Sequence, residues 1–304
     1  MKITKANLSD KPIVYRMWKD AFAEDDGGSV DHYFSAYYAE DQCWILRDED
    51  MIVSTLQVHK HDMMLMGKRI RISYIVGVVT HPLYRNKGFM RKLLNGVIEI
   101  LERTDLVTVL QGYTPEIYEP FGFEKVYRRR KYSLDKSMIP LLSAQGITYT
   151  ADVSEMSALY REFTQHFTGY MLRNEAHFTK AISEIKAMDG KVIYYREGGI
   201  LKGYCVFYVH DTHIEIDEMM YLDSVGLLKM MSTLCNSKDR IILYLSQSED
   251  LARILPKAVY SWQEYMSVRI NDLALFNQCF GTRVTNAKEG FNSVNKPLWI
   301  HDSQ

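Results

Sequence analysis

The sequence predicts a mixed α/β (α+β) fold that contains two tandem copies of one series of elements. Segments with helical periodicity alternate with segments typical of strands, and the series of helices, hairpin, strand, helix and strand occurs twice. The chain has 304 residues, of which 47% are hydrophobic and 25% charged, so it is long enough for two ordinary domains with apolar cores. Because the two series share their order but not their residues, we interpret them as a duplication at the level of fold.

The first copy fills about 135 residues and begins with two helices. Residues 9–24 open with Ser and Asp capping candidates, and their apolar side chains recur at helical spacing. The strand over residues 69–79 ends in a continuous apolar run, which is typical of burial on both faces. In order, the predicted elements are helices over 9–24 and 30–39, a hairpin over 43–63, a strand over 69–79, a helix over 88–102 and strands over 107–112 and 121–134.

The second copy starts after Pro140 and repeats this order. Gly198 and Gly199 mark the turn of its hairpin. Residues 265–280 add one strand and one short helix, and the residues from Gly281 onward are polar and weakly patterned. The predicted elements are helices over 158–167 and 177–188, a hairpin over 191–211, a strand over 213–223, a helix over 224–238 and a strand over 240–246.

The composition argues against several classes of partner. The 37 basic and 38 acidic side chains leave a formal charge of -1, which gives no general attraction for nucleic acid or an anionic membrane. The absence of a long apolar run or an apolar leader favours a cytoplasmic protein. The four cysteines lack the spacing of a zinc site or a disulfide framework, and histidines such as His210 and His213 lack partners at metal-ligand spacing. We therefore expect no metal.

Charged side chains cluster at three places. Residues 128–131 form a basic run on a strand, where alternate side chains face opposite sides, and we interpret this run as a solvated edge. Asp25 and Asp26 follow the first helix, and an acidic group lies on a strand of the second copy. Each acidic group either attracts a cationic ligand or forms a solvated surface. The members of the second acidic group are Glu215, Asp217 and Glu218.

The segment over residues 72–94 predicts a cradle for a phosphorylated ligand. It contains an apolar strand, a short turn with Arg85, Lys87 and Gly88, and an amphipathic helix. Backbone N–H groups at the start of a helix carry partial positive charge, and a glycine lets the backbone approach an anion. The second copy has Asp223 at the matching place and no Arg or Lys, so we expect it to bind no pyrophosphate.

The turn resembles the acyl-CoA loop of the GNAT superfamily of N-acetyltransferases. That loop runs from a strand through Arg-x-x-Gly-x-Gly/Ala into a helix, and here residues 85–90 read Arg-Asn-Lys-Gly-Phe-Met. A second segment, residues 116–126, resembles the GNAT stretch that carries a tyrosine before Phe-Gly-Phe. In the family this tyrosine lies near the acyl sulfur, and here it is Tyr118.

The whole arrangement is similar to Eis-like acetyltransferases, which join an active GNAT domain, a second GNAT domain without the loop and a sterol-carrier-like domain. The resemblance implies an acetyl-CoA-binding domain over residues 1–135 and a degenerate second GNAT-like domain over 136–263. Residues 264–304 would be a short remnant of the third domain. Eis-like enzymes use the terminal carboxylate as general base, so Gln304 takes that role here, with a water chain or Asp25 and Asp26 as alternatives.

The resemblance also implies a set of cofactor contacts. The backbone at the end of the strand pairs with the pantetheine arm, the loop surrounds the pyrophosphate, and the next strand end supplies a further contact. Tyr118 is then the general acid that protonates the leaving CoA thiolate. The implied cofactor contacts are Val78, Val79, Thr80, Arg85, Asn86, Lys87, Gly88, Phe89, Met90, Arg91, Tyr113 and Thr114.

The expected function is therefore acetyl-CoA-dependent transfer of an acetyl group to a primary amine, without a metal. A polyamine, an aminoglycoside-like amine and a protein or peptide lysine are the acceptor candidates, and Asp25 and Asp26 are the candidate acceptor contacts. No nucleic-acid or membrane partner is expected, and a homo-oligomer is left open. The alternative is a non-catalytic acyl-CoA-binding or scaffolding protein with the same fold.

Overall fold

The computed structural model describes residues 1–23 and 28–301. None of the helices in these two ranges has the length and apolar character needed to cross a bilayer. The helices are α1 (Lys11–Ala21), α2 (Ser29–Ala36), α3 (Phe89–Leu101), α4 (Val153–Thr164), α5 (Glu175–Ala187), α6 (Ser224–Leu234), α7 (Leu273–Phe280) and α8 (Ala287–Asn292). The strands are β1 (Lys2–Lys5), β2 (Cys43–Asp48), β3 (Met51–Leu65), β4 (Lys68–Thr80), β5 (Val107–Leu110), β6 (Glu124–Asp135), β7 (Ile147–Thr148), β8 (Tyr170–Met171), β9 (Lys191–Glu197), β10 (Ile200–Val209), β11 (Ile214–Tyr221), β12 (Arg240–Ser246) and β13 (Tyr260–Ile270).

One mixed sheet runs through the described chain. Its strands follow the order β1-β2-β3-β4-β5-β13-β6-β12-β11-β10-β9-β7, and β8 pairs with β3 beside this path. Two neighbouring pairs are parallel, β4 with β5 and β11 with β12. Each parallel pair is connected through a helix, α3 in the first half and α6 in the second, as a parallel crossover requires. The mixed α/β fold that the sequence predicts is therefore confirmed.

The centre of the sheet combines strands from both halves. β13, from the second half, lies between β5 and β6 of the first half, and β6 lies beside β12. Counted outward from the antiparallel β13–β6 pair, one side continues β5, β4, β3, β2 and the other β12, β11, β10, β9. The two halves of the chain thus exchange their last strands. The division at residues 135 and 263 stays a prediction, and β13 crosses the second of these positions.

The helices after the parallel strands pack on the sheet through apolar faces. In α3 the buried side chains Leu93, Leu94 and Val97 recur at helical spacing and contact strand residues such as Leu56 and Ile75. Full burial of each such side chain stabilises the fold by about 1.5–3 kcal/mol. In the second half, α6 buries Leu227, Met230 and Met231 in the same way. This packing fixes where the N-terminus of each helix lies relative to the end of the preceding strand.

The C-terminal segment differs from the sequence-based expectation. Residues after Gly281 were expected to be polar and weakly patterned, but α8 forms there and Leu298, Trp299 and Ile300 are buried. Trp299 packs against Tyr160 of α4, with ring centroids 5.9 Å apart. Three adjacent apolar residues carry no helical or strand periodicity, so their burial depends on contacts with distant parts of the chain.

Candidate active site

The ends of β4 and β5 separate and leave one edge of β4 open. The two strands pair from Ile72 with Val107 to Ile75 with Leu110, where β5 ends. β4 continues to Thr80, and no described strand pairs with its β5-side edge beyond Ile75. Its other edge stays paired with β3 as far as Thr80. Backbone N–H and C=O groups on the open edge are therefore free to bond to an extended ligand.

A bulge shapes this open end of β4. The register with β3 shifts between Thr55 and Gln57, and Gly77 lies in the bulge with φ of 57°. The Trp18 ring of α1 rests on the Gly77 backbone, because a Cβ at this position would lie 1.7 Å from Trp18 Cζ2. On β3, the buried Ser54 hydroxyl donates to the Val79 carbonyl at 3.0 Å. These contacts hold the strand end in place, and neither Trp18 nor Ser54 carried a motif that would have identified it from sequence.

The loop from Arg85 to Gly88 leads directly into the N-terminus of α3. Arg85, Asn86, Lys87 and Gly88 are exposed, and Asn86 and Gly88 adopt left-handed conformations with φ of 61° and 78°. Gly88 occupies the N-cap position, where no side chain caps the helix, and the first turn contains no acidic residue. The first backbone N–H groups of α3 therefore have no side-chain cap, which is the local geometry that an anion site requires.

Cationic side chains flank this helix start. The Lys87 ammonium lies 5.1 Å from the centre of the Tyr84 ring, and the Arg91 guanidinium lies 5.5 Å from that of Phe121. A Cβ added to Gly88 would meet nothing within 4 Å, so the space in front of the helix is open. Open space, free N–H groups and nearby cations fit a pyrophosphate group.

In the second half, a side chain of the protein itself caps the N-terminus of the corresponding helix, α6. Asp223 caps α6, and its Oδ1 accepts a hydrogen bond from the Gly226 N–H at 2.8 Å. The carboxylate thus occupies the position where an anion would bind, and its charge would repel one. The N-terminus of α6 is therefore capped by a carboxylate, whereas that of α3 has no side-chain cap.

Tyr118 lies in a 3-10 segment, Pro115–Phe121, just after β5. Its ring packs edge to face against Phe123 at a centroid distance of 6.3 Å, and Gly112 leaves room for it, since a Cβ there would lie 2.8 Å from Tyr118 Cε2. Burial raises the pKa of the Tyr118 phenol above its ordinary value. The phenol is therefore protonated at neutral pH and available as a donor. Tyr113, in contrast, is 85% exposed.

The residues predicted for the acceptor and the general base fall outside the described structure. Asp25 and Asp26 lie between its two ranges, and Gln304 lies beyond residue 301. The described chain approaches the sheet centre at His301, which is buried with its ring 5.8 Å from that of Tyr265.

Arg129 is a buried ion-pair partner, so the expectation of a solvated edge is wrong for this residue. Its guanidinium lies between the rings of Tyr244 and Tyr265, 4.4 and 3.9 Å from their centres, and donates to Asp217 Oδ1 at 3.2 Å. Burial disfavours the ionised Asp217, but the charge of Arg129 and its hydrogen bond hold the pKa of this carboxyl below its usual range. Arg128, on the opposite face, stacks on Trp262 at 3.8 Å.

A second buried ion pair ties the C-terminal segment to β11. Arg173 Nη1 donates to both carboxylate oxygens of Glu218, at 2.9 and 2.8 Å, and the Tyr204 hydroxyl bonds to the same carboxylate. Arg173 Nη2 donates to the His301 carbonyl. Burial, and then the charge of Arg129, lower the pKa of the His301 imidazole. Asp217 and Glu218 are therefore engaged inside the protein and do not form a solvated acidic surface.

Comparisons with known proteins agree with this geometry. Residues 2–126 match the family model described as the acetyltransferase (GNAT) domain. The search of curated proteins found no match. A probable N-acyltransferase from Enterococcus faecalis superposes with a TM-score of 0.78 at 16% identity, over 90% of this chain and 72% of that one. A GCN5-related N-acetyltransferase from Anabaena variabilis gives 0.77 at 17%, over 90% and 74% of the two chains.

Eis1 from Mycobacterium abscessus is also similar, with a TM-score of 0.71 at 13% identity over 91% of this chain and 75% of that one. At these identities the solved structures establish the fold, which extends across both halves of the chain. The family match adds the activity class, because the open edge of β4, the Arg85–Gly88 loop and Tyr118 all lie inside the matched residues. The chain is an acetyltransferase, and its residues 2–126 match the GNAT domain model.

Proposed function

We propose that this protein transfers an acetyl group from acetyl-CoA to a primary amine. The observation that carries the proposal is the junction of the open β4 edge with the uncapped N-terminus of α3. Val78, Val79 and Thr80 would bond to the pantetheine arm, and the residues from Arg85 to Arg91 would surround the pyrophosphate. Tyr113 and Thr114, which lie at the surface between β5 and Tyr118, would contact the donor from the other side.

The reaction would be a direct attack of the amine on the thioester carbonyl. Most of the acceleration would come from holding the two reactants in contact, and N–H groups on the open β4 edge would favour charge on the carbonyl oxygen. The departing sulfur needs a proton or a hydrogen bond, which the Tyr118 hydroxyl would supply. Because a thiol has a pKa of about 8.5 and burial raises the Tyr118 pKa above the ordinary phenol value of about 10, complete proton transfer from the phenol to the thiolate is uphill. Tyr118 would therefore act mainly by stabilising the negative charge that develops on sulfur.

The acceptor class follows from the amine chemistry of the family, with a polyamine, an aminoglycoside-like amine and a protein lysine as candidates. We propose Asp25 and Asp26 as acceptor contacts and the terminal carboxylate of Gln304 as the general base. The inward path of the chain at His301, fixed by Arg173, supports the second of these proposals. We also keep the division into an acetyl-CoA-binding unit over 1–135, a degenerate copy over 136–263 and a short segment over 264–304.

Two measurements on the full chain test the proposal. Isothermal titration with acetyl-CoA measures donor binding, and release of free thiol over a panel of amines measures turnover. We expect binding together with thiol release that depends on one class of amine. Binding without thiol release on any amine would favour the acyl-CoA-binding scaffold, and no binding would contradict both readings.

A further inference from the structure

Two histidines and a glutamate lie together at the turn between β10 and β11. The His210 N–H donates to the His213 carbonyl at 2.9 Å and closes the turn. His210 and His213 therefore stand opposite each other, just beyond the paired residues Val209 and Ile214. Glu215 lies two positions after His213 on β11, so its side chain projects from the same face of the hairpin.

Their donor atoms come close enough to share one ion. One ring nitrogen of each histidine and one carboxylate oxygen of Glu215 all lie within 4.8 Å of one another. The two imidazole rings stack with centroids 4.7 Å apart and an interplanar angle of 21°. The nearest ring nitrogen to the carboxylate is His213 Nε2, 3.9 Å from Glu215 Oε2.

The second nitrogen of His213 is already oriented by a neighbour. Thr212 Oγ1 lies 3.1 Å from His213 Nδ1, at hydrogen-bond distance. When Nδ1–H donates to this hydroxyl, the lone pair of Nε2 faces the Glu215 carboxylate. Histidines that bind metals commonly donate their other ring N–H to such a partner, which fixes the ring and its tautomer. A lone pair that faces a carboxylate is favoured by a cation between the two atoms, which is either a proton on Nε2 or a bound metal ion.

The distances allow a tetrahedral ion after small side-chain rotations. Zinc bonds of about 2.0–2.2 Å place neighbouring ligand atoms roughly 3.3 Å apart, so donors that lie within 4.8 Å of one another need to close by up to about 1.5 Å. His210 is exposed and the other two side chains are half-buried, so rotation is not blocked by close packing. Two imidazoles with one carboxylate favour zinc or a similar transition metal over magnesium or calcium, which prefer all-oxygen sites.

We propose that His210, His213 and Glu215 bind one divalent transition-metal ion, with zinc as the reference metal. The ion links the two strands across their turn. Downstream on the same strand, β11 carries Asp217 and Glu218, the partners of Arg129 and Arg173 in the central ion pairs. The site thus lies outside the acetyl-transfer machinery and its role is to stabilise β11. The sequence-based expectation of no metal rested on spacing along the chain, whereas these side chains meet only when the turn closes.

Metal titration of the chelator-treated full chain tests this site. We expect one zinc ion per chain by isothermal titration, visible absorption from four-coordinate cobalt, and a higher thermal midpoint with metal present. His210→Ala, His213→Ala and Glu215→Gln should each weaken zinc binding at least tenfold. His166→Ala removes an exposed histidine elsewhere and should leave the affinity unchanged.

Circular dichroism of each variant verifies that the fold is retained, since these three side chains are not core residues. Binding that survives all three substitutions would locate the metal elsewhere, for instance at the free thiol of Cys279, and would overturn the proposal. A stoichiometry well below one ion per chain in the unmodified protein would overturn it as well. Neither result depends on acetyltransferase activity.

Discussion

A negative charge at Gly88 should disrupt donor binding more than any neutral side chain of the same size. Gly88 caps α3 with φ of 78°, and an added Cβ would meet no atom within 4 Å. Any side chain there pays a left-handed backbone strain of about 1–2 kcal/mol, without a clash. Gly88→Gln and Gly88→Glu share this strain and differ only in charge, so their comparison isolates the electrostatics of the cradle.

The size of the charge effect can be estimated from Coulomb's law. At a separation of about 6 Å and an effective dielectric constant of about 40, each phosphate charge repels the new carboxylate by about 1.4 kcal/mol. Two charges of the pyrophosphate give about 3 kcal/mol, which corresponds to about 100-fold in affinity. The flanking cations of Lys87 and Arg91 oppose this repulsion only in part, since each already lies against an aromatic ring.

Isothermal titration with acetyl-CoA measures the difference directly. We expect the backbone strain to lower the stability of both variants alike, and Gly88→Glu to bind acetyl-CoA about 100-fold more weakly than Gly88→Gln. The gap should narrow as salt rises from about 0.1 M to about 1 M, because the Debye length falls from about 10 Å to about 3 Å. Thermal unfolding of both variants verifies the fold. Equal affinities for the Gln and Glu variants would refute the assignment of this helix start to the pyrophosphate.

Three further predictions concern Tyr118 and two ion pairs of the second half. Tyr118→Phe keeps the ring and removes the hydroxyl, so it should lower turnover about 10²-fold or more with donor affinity unchanged. Unchanged turnover would exclude any role of this hydroxyl at the leaving sulfur, whether as a proton donor or as a hydrogen-bond donor. Arg173→Ala leaves the buried Glu218 carboxylate without its partner, so the free energy of unfolding measured in urea should fall by about 3–5 kcal/mol. Adding Glu218→Gln should restore most of this stability. A loss below about 1 kcal/mol would contradict the buried ion pair. Hydrogen bonds from Arg196 lower the pKa of Glu155 to about 2, below its unfolded value of about 4.3. The ionised Glu155 therefore stabilises the fold fully above about pH 4.3, and this stabilisation is lost as the pH falls toward about 2. Glu155→Gln should make the free energy of unfolding depend less on pH between these values. The same pH dependence in the variant and the unmodified protein would contradict the prediction.

The sequence predicted the helices and turns whose formation depends on residues close together in the chain. The helix over 88–102 is observed as Phe89–Leu101, because its apolar spacing and the glycine before it both act within a few residues. The hairpin turn at Gly198 and Gly199 forms between β9 and β10 as expected, with φ of 56° and 84°. Gly88 precedes α3 as the sequence predicts and leaves the helix start without a side-chain cap, while the binding of an anion there stays a prediction.

The central strands and charges depended on contacts that no local pattern shows. The sequence predicted a strand in part of residues 260–270. It could not predict that this strand pairs with β5 and β6, because those partners lie more than a hundred residues away along the chain. Arg129 belongs to a basic run that is ordinarily solvated, and only Asp217 with two tyrosine rings makes its burial favourable. His210 and His213 likewise needed the closed turn before their spacing had a chemical meaning.

The exchange of last strands gives the second half of the chain a structural role in the first half, although the helix start of the second half is capped by Asp223. β5 ends beside the open edge of β4, and its other edge pairs with β13, from residues 260–270. Without β13, β5 would have an unpaired edge of its own next to the site, and a short edge strand frays and pairs non-specifically. The second half would therefore support the proposed acetyl-transfer site through the pairing of β13 with β5, while the Asp223 carboxylate caps the N-terminus of its own helix α6.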